Sequence, residues 1–444
     1  MIKVERKDVA DPGIDEKVKN LNPEKIEKTI NWVLGKEAAA RLKAYVQTCI
    51  HCGLCSEACH YYLSHDRDPS YAPVAKVRQT LWEILKRKGR VDGESLKRCA
   101  RIAYTECNLC RRCSMYCPFG IDIAYLISIV RRMCHLLGVV PQYLQARINS
   151  QMATMNSEWL TQDDWIDTAQ WQEEELRMEI KNARIPLDKE GAEIMYSLHS
   201  VEVKFMTQLI ANIAKIMTVA GIDWTIPSTD GWDNTNQAMH GGDFETMGMA
   251  VRKHFEAAFK LKVKKIVMNE CGHAFKAMVY DGSRWLGWKE SPLPYVHAIQ
   301  FYYELIRDGK IKIAKKIKEP VTVQDPCNLV RGRGLGDMLR YIINATCEDF
   351  RDMTPRYEHN YCCCSGGGVL HADKPWKTVR LEGSRIKAEQ LKATGAEIAI
   401  TACHSCHKGV HDLIDHYKLG MHVKFLSEIL VEVMEIPEEL RVAK

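Results

Sequence analysis

The chain has 444 residues, with 46% hydrophobic and 27% charged side chains and a net charge of +5. That length supports two or three domains with cores of their own. So small a net charge gives no basis for nucleic-acid binding, which calls for a strong basic stripe.

Cysteine is the outlier: there are 18, and they are clustered. The N-terminal stretch MIKVERKDVADPG is charged and lacks the apolar segment of a secretory signal. A cytoplasmic chain is therefore expected, with reduced thiols, and clustered cysteines then read as metal ligands before disulfides. The most apolar stretches are Ile121 to Val130, interrupted by Asp122, and Leu209 to Ile222, interrupted by Lys215. Neither reaches the roughly 20 apolar residues of a membrane span, so membrane association is expected only through a partner subunit.

Residues 1–45 show helical spacing in Ile26, Ile30, Val33 and Leu34, with Leu42 and Val46 beyond, and predict a helical N-terminal arm. Residues 46–135 carry two cysteine runs. The first is Cys49-x2-Cys52-x2-Cys55-x3-Cys59. The second is Cys107-x2-Cys110-x2-Cys113-x3-Cys117, followed by Pro118. This is the spacing of bacterial two-cluster ferredoxins. Two-residue gaps let a tight loop present three thiolates to three corners of one cube, and the fourth ligand comes from the other run. The expected ligand sets are Cys49, Cys52, Cys55 and Cys117 for one 4Fe–4S cluster, and Cys107, Cys110, Cys113 and Cys59 for the other. Paired zinc sites would need only four sulfurs in all, so two complete runs argue against them. Cys99 and Cys134 lie outside the pattern and read as small buried hydrophobes.

Residues 136–190, including WQEEELRMEIKNAR, are polar and helix-forming and read as a solvated helical connector. From residue 191 the texture changes. EIMYSL, VKKIVMN, VTVQD and AEIAITA read as strands, alternating with amphipathic segments such as HAIQFYYELIRDG. The predicted fold class is therefore α+β followed by α/β: a helical two-cluster module, then a domain of parallel-sheet βα units over 191–444. Cys271, Cys327 and Cys403 each follow a predicted strand, where such sheets gather their ligands.

The C-terminal half holds Cys327 in QDPCNL, Cys362, Cys363 and Cys364 in YCCCSGGG, and Cys403 and Cys406 in ACHSCHKG. This constellation is similar to the cysteine-rich CCG domain of heterodisulfide reductases, also found in iron–sulfur subunits of glycolate oxidase and anaerobic glycerol-3-phosphate dehydrogenase. Cys327, Cys362, Cys363, Cys403 and Cys406 match the motif one by one. The resemblance implies a third, non-cubane 4Fe–4S cluster on those five thiolates that cleaves a disulfide in one-electron steps. The family has two copies of the motif, and the first is degraded here. STDGWDN carries no thiol where a Cys-Cys-Gly would stand, and NECGHA keeps Cys271 but has Ala274 at the second position. In the second copy Cys364 replaces the usual glycine. Cys271 and Cys364 are therefore candidate catalytic thiols, and the SGGG run is expected to bring backbone close to a cofactor. Cys403-His404-Ser405-Cys406-His407 also fits a haem-attachment signature, but no export signal accompanies it. His404 and His407 read as neighbours of the site or surface groups, and His273 and His297 as satisfied structural histidines.

Across most of the chain the resemblance is greatest to heterodisulfide reductase D-like proteins of the DsrK and TmcB type. It implies an oxidoreductase subunit on the cytoplasmic face of the inner membrane, docked on a membrane cytochrome b-type subunit of a transmembrane redox complex. Electrons would pass between a quinone or cytochrome c pool and a thiol/disulfide substrate, such as a heterodisulfide or the trisulfide of a DsrC-like sulfur carrier, in anaerobic sulfur or sulfate respiration. The alternative is an electron conduit for a flavin-linked dehydrogenase of the glycolate oxidase or glycerol-3-phosphate type.

Overall fold

The computed structural model describes residues 11–374 and 376–442. The start of the charged N-terminal stretch, residues 1–10, lies outside them. Helices open the chain at Pro12–Lys19, Pro23–Trp32 and Ala39–Thr48. The first two are capped by the side chains of Asp11 and Asn22 and begin with proline, whose fixed φ suits a first helical position. Their apolar stripe does not project as an arm. Ile14, Val18, Ile26, Ile30, Val33 and Leu42 are buried in one core with Leu96, Ala100, Ile127 and Val130. The last four lie on helices Gly93–Thr105 and Ile123–Leu136 of the cysteine module. The helical periodicity holds, but the expected separation from the module does not.

The stretch expected to be a solvated connector also packs inward. It forms helices Gln142–Thr154 and Gln162–Arg177. Leu144 and Ile148 join the module core, whereas Trp165, Ala169 and Leu176 join the core of the C-terminal half. Trp165 is buried, stacks on Trp232 and donates from Nε1 to Pro227 O at 3.1 Å. The polar composition that suggests solvation belongs to the outer face of that helix alone.

The C-terminal half contains two parallel sheets. The first has strands β1 (Ile194–Ser197), β2 (Trp224–Thr225), β3 (Lys265–Met268) and β4 (Tyr295–His297) in the order β2-β1-β3-β4. The second has β5 (Val321–Gln324), β6 (Ile398–Thr401) and β7 (His422–Phe425) in the order β5-β6-β7. A parallel bridge between Val321 and Phe350 stands beside β5 where β2 stands beside β1. The halves are thus two copies of one βα arrangement, with their strand ends facing. His404 N donates to Glu270 O at 2.8 Å, and Gly272 N donates to Cys403 Sγ at 3.4 Å. The four strand segments read from sequence are β1, β3, β5 and β6; β2, β4 and β7 are additional. Among the described residues no helix is long and apolar enough to cross a membrane.

Candidate functional site

The two cysteine runs fold into tight turns that open short helices at Leu54–Glu57 and Arg112–Met115. Gly53 (φ 80°) and Arg111 (φ 64°) take the left-handed conformation that each turn requires. The runs lie side by side and exchange their last cysteines. One cavity is lined by Cys49, Cys52, Cys55 and Cys117, and a neighbouring one by Cys59, Cys107, Cys110 and Cys113. Each cavity is walled by three thiols of one run and one of the other. That is a donor set of the right number and chemistry for a cubane cluster. The first cavity lies at the surface, where Cys52 is exposed. The second is enclosed and carries two buried cations that the sequence did not single out. Lys76 Nζ lies 3.6 Å from Cys59 Sγ and donates to Glu106 O. Arg131 donates to the carbonyls of Cys107, Ala103, His240 and Gly367 at 2.6–2.9 Å.

The five motif cysteines of the C-terminal half converge. Cys327 and Cys403 follow β5 and β6, Cys406 lies in the first turn of helix His404–Tyr417, and Cys362 and Cys363 come from the loop between. Their thiols form one contiguous file. Cys362 touches Cys327 and Cys363, Cys363 touches Cys406, and Cys406 touches Cys403. Crowding of this kind suits a shared multi-iron group. At one end of the file Cys362 also touches Cys110 of the ferredoxin-like module. Four of the five are buried; Cys327 alone is part-exposed.

Cys271 and Cys364 flank this file, and both are buried. Cys271 touches Cys403, and burial together with that contact pushes its thiol well above the ordinary value. Its Sγ lies 3.4 Å from His273 Nδ1. Cys364 has φ 63°, the conformation that explains the family's glycine at this position. Burial opposes ionisation of its thiol, but contacts with Cys362 and His60 bring it down to about 6.

In the first repeat the place of the lost thiols is filled by hydrogen-bonded polar side chains. Ser200, three residues past β1, occupies the position that Cys327 holds past β5. Its backbone N donates to Asp233 Oδ1 at 3.0 Å, and its hydroxyl lies 3.2 Å from Thr235 Oγ1. Asn234 Nδ2 donates to Ser197 O and to Asn269 Oδ1, both at 3.0 Å, and Asn269 donates to Glu202. No thiol file forms there among the described residues.

Several secondary expectations change. Cys99 and Cys134 are buried among apolar side chains, as read. His273 and His297, however, are not fully satisfied, since each leaves Nε2 buried without a protein partner. The glycine run approaches protein backbone. A β-carbon on Gly367 (φ 71°) would stand 2.8 Å from Asn108 O, and Asn108 Nδ2 donates to Gly366 O at 3.1 Å. It is the close seam between the C-terminal half and the ferredoxin-like module. Lys76 and Arg131 went unrecognised because a single basic residue in a helical stretch looks like any solvated one.

Comparison with known proteins agrees with this division. A 4Fe-4S dicluster domain matches residues 45–121, and a cysteine-rich domain of the CCG family matches residues 321–410. The chain is 25% identical over 439 residues to Hdr-like menaquinol oxidoreductase iron-sulfur subunit 2 of Archaeoglobus fulgidus, covering 86% of this chain and 78% of the relative. It is also 25% identical over 402 residues to the D component of dihydromethanophenazine:CoB–CoM heterodisulfide reductase from Methanosarcina mazei, covering 88% and 94%.

Proposed function

We propose that this chain, an iron–sulfur protein of the heterodisulfide reductase-like type, is the subunit of a larger redox complex that carries electrons to a disulfide and reduces it. The contact between Cys110 and Cys362 carries the reading, because it joins the module's second thiol set to the C-terminal file without intervening protein. In the proposal Cys49, Cys52, Cys55 and Cys117 hold one cubane cluster, and Cys59, Cys107, Cys110 and Cys113 hold the other. Cys327, Cys362, Cys363, Cys403 and Cys406 hold a third, non-cubane one. These groups would supply one-electron carriers and a centre at which sulfur chemistry occurs.

The protein's own part is polarity and access. Lys76 and Arg131 place positive charge beside the second set, which favours an added electron there over the first. Cys52 is exposed, and Ile50, Leu54 and Phe119 present apolar surface nearby, a surface suited to an electron-donating partner. We assign that place to a membrane cytochrome b-type subunit, which would hold the chain at the cytoplasmic face of the inner membrane. The reaction is RSSR + 2e⁻ + 2H⁺ → 2 RSH, with a heterodisulfide or a DsrC-like carrier as substrate. Cys364 keeps a role in this proposal as a thiol of lowered pKa beside Cys362. Cys271, with its thiol held protonated and buried, does not.

The test is viologen-driven disulfide reduction by anaerobically purified, fully loaded protein. Cys363→Ser is expected to abolish it while leaving the signals of the two module clusters. Full turnover in that variant would refute the reading.

A further inference from the structure

An open cleft runs between the ferredoxin-like module and the C-terminal half, and Cys327 stands in its wall. All of the chain's units line it. Arg41 comes from the N-terminal helices, Arg111 from the second cysteine run, Lys276 and Arg284 from the first repeat, and Arg331 from the second. Five cations therefore meet two lining carboxylates, Asp122 and Asp281.

Those carboxylates are already engaged. Asp122 caps helix Ile123–Leu136 through Tyr125 N and pairs with Arg111 at 2.5 Å, with Arg41 at 3.8 Å. Asp281 pairs with Lys276. Arg331 is fastened by three backbone carbonyls, Glu358 O, Cys110 O and Asn360 O, each at 2.6 Å. Neutral carbonyls fix its position without cancelling its charge. Arg284 is exposed and has no carboxylate partner among the described residues. A fixed positive potential thus surrounds the one thiol of the C-terminal file that solvent reaches.

We propose that this cleft is the substrate entrance and selects disulfides that carry carboxylate or similar anionic groups, with Arg284 as the specificity-determining residue. The inference rests on the disulfide reading above and adds to it a charge requirement and a place. The disulfide sulfur enters at Cys327, and the anionic end meets Arg284, with Arg331 behind it. Reduction follows the same balance: two electrons from the donor and two protons convert one disulfide to two thiols.

The experiment uses holoprotein and three disulfides of similar size: 3,3′-dithiodipropionate (dianionic), 2-hydroxyethyl disulfide (neutral) and cystamine (dicationic). Binding is read by calorimetry and turnover by oxidation of reduced viologen. The dianion is expected to bind about tenfold or more tighter than the neutral compound at low salt, and cystamine weakest. The gap should narrow as salt rises. Arg284→Gln is expected to remove about fivefold of the dianion's affinity, and Arg284→Lys to restore most of it. Equal binding of all three compounds, or unchanged dianion affinity in Arg284→Gln, would overturn the proposal. Turnover of the neutral disulfide reports separately on the disulfide reading. Its absence in loaded protein would end that reading, while the calorimetric order still decides the cleft.

Discussion

Arg331 Nη1 donates to the carbonyl of Cys110 at 2.6 Å, and its other nitrogens hold Asn360 O and Glu358 O at the same distance. One guanidinium thereby ties a cysteine of the ferredoxin-like module to the loop that leads into Cys362. Hydrogen bonds from a charged donor contribute about 1.5–3 kcal/mol each, less where solvent reaches them. Arg331→Ala is expected to cost about 2–4 kcal/mol in thermal unfolding. It should also slow electron transfer from the module to the C-terminal centre in rapid-mixing experiments. Arg331→Lys should rescue little, because an ammonium lacks the planar fork that reaches three carbonyls.

Lys76 is buried, and its charge is held by Cys59 and the neighbouring thiols, which raise its pKa despite desolvation. A cation so placed stabilises the extra negative charge of a reduced centre. Lys76→Gln is expected to lower the midpoint potential of the second module cluster by on the order of 60 mV, equivalent to ~1.4 kcal/mol for one electron. Redox titration followed by electron paramagnetic resonance checks it. A rise, or a shift confined to the first cluster, would contradict the assignment of Lys76 to that set.

Gly367 and Asn108 approach so closely that no side chain fits between them. Gly367→Ala must accept a left-handed φ, at about 1–2 kcal/mol, and push back the backbone beside Cys107, at about 1–3 kcal/mol. The variant is expected to lose about 2–4 kcal/mol of stability and to weaken docking of the module on the C-terminal half. Gly366→Ala, whose β-carbon would stand 3.8 Å from the same carbonyl, should be near neutral. Differential scanning of the two variants separates these outcomes.

The eight module cysteines were legible because a cube imposes two-residue gaps, and the five C-terminal ones because a longer motif repeats them. The packing around them was not. The spacing of Ile26, Ile30 and Val33 announces a helix with an apolar face but says nothing of what covers that face, here helix Ile123–Leu136. β2 and β4 have two and three residues, too few to show a period, and β7 is largely solvent-facing. The glycines of SGGG signalled a close approach correctly, yet the sequence does not say whether a cofactor or a second backbone comes near. The degraded first repeat was visible as missing thiols. Its refilling by Ser200, Asn234 and Asn269 depends on contacts between distant loops, which a linear reading cannot weigh.

The central claim is that the chain holds two clusters in its module and a single one in its C-terminal half. Iron and acid-labile sulfide analysis of anaerobically reconstituted protein tests it most directly. The account predicts about 12 irons per chain, falling to about 8 in Cys363→Ser, since each 4Fe–4S cluster contributes four. A value near 8 in the fully loaded wild-type chain would remove the C-terminal centre. A value near 16 would mean that the polar first repeat still binds one.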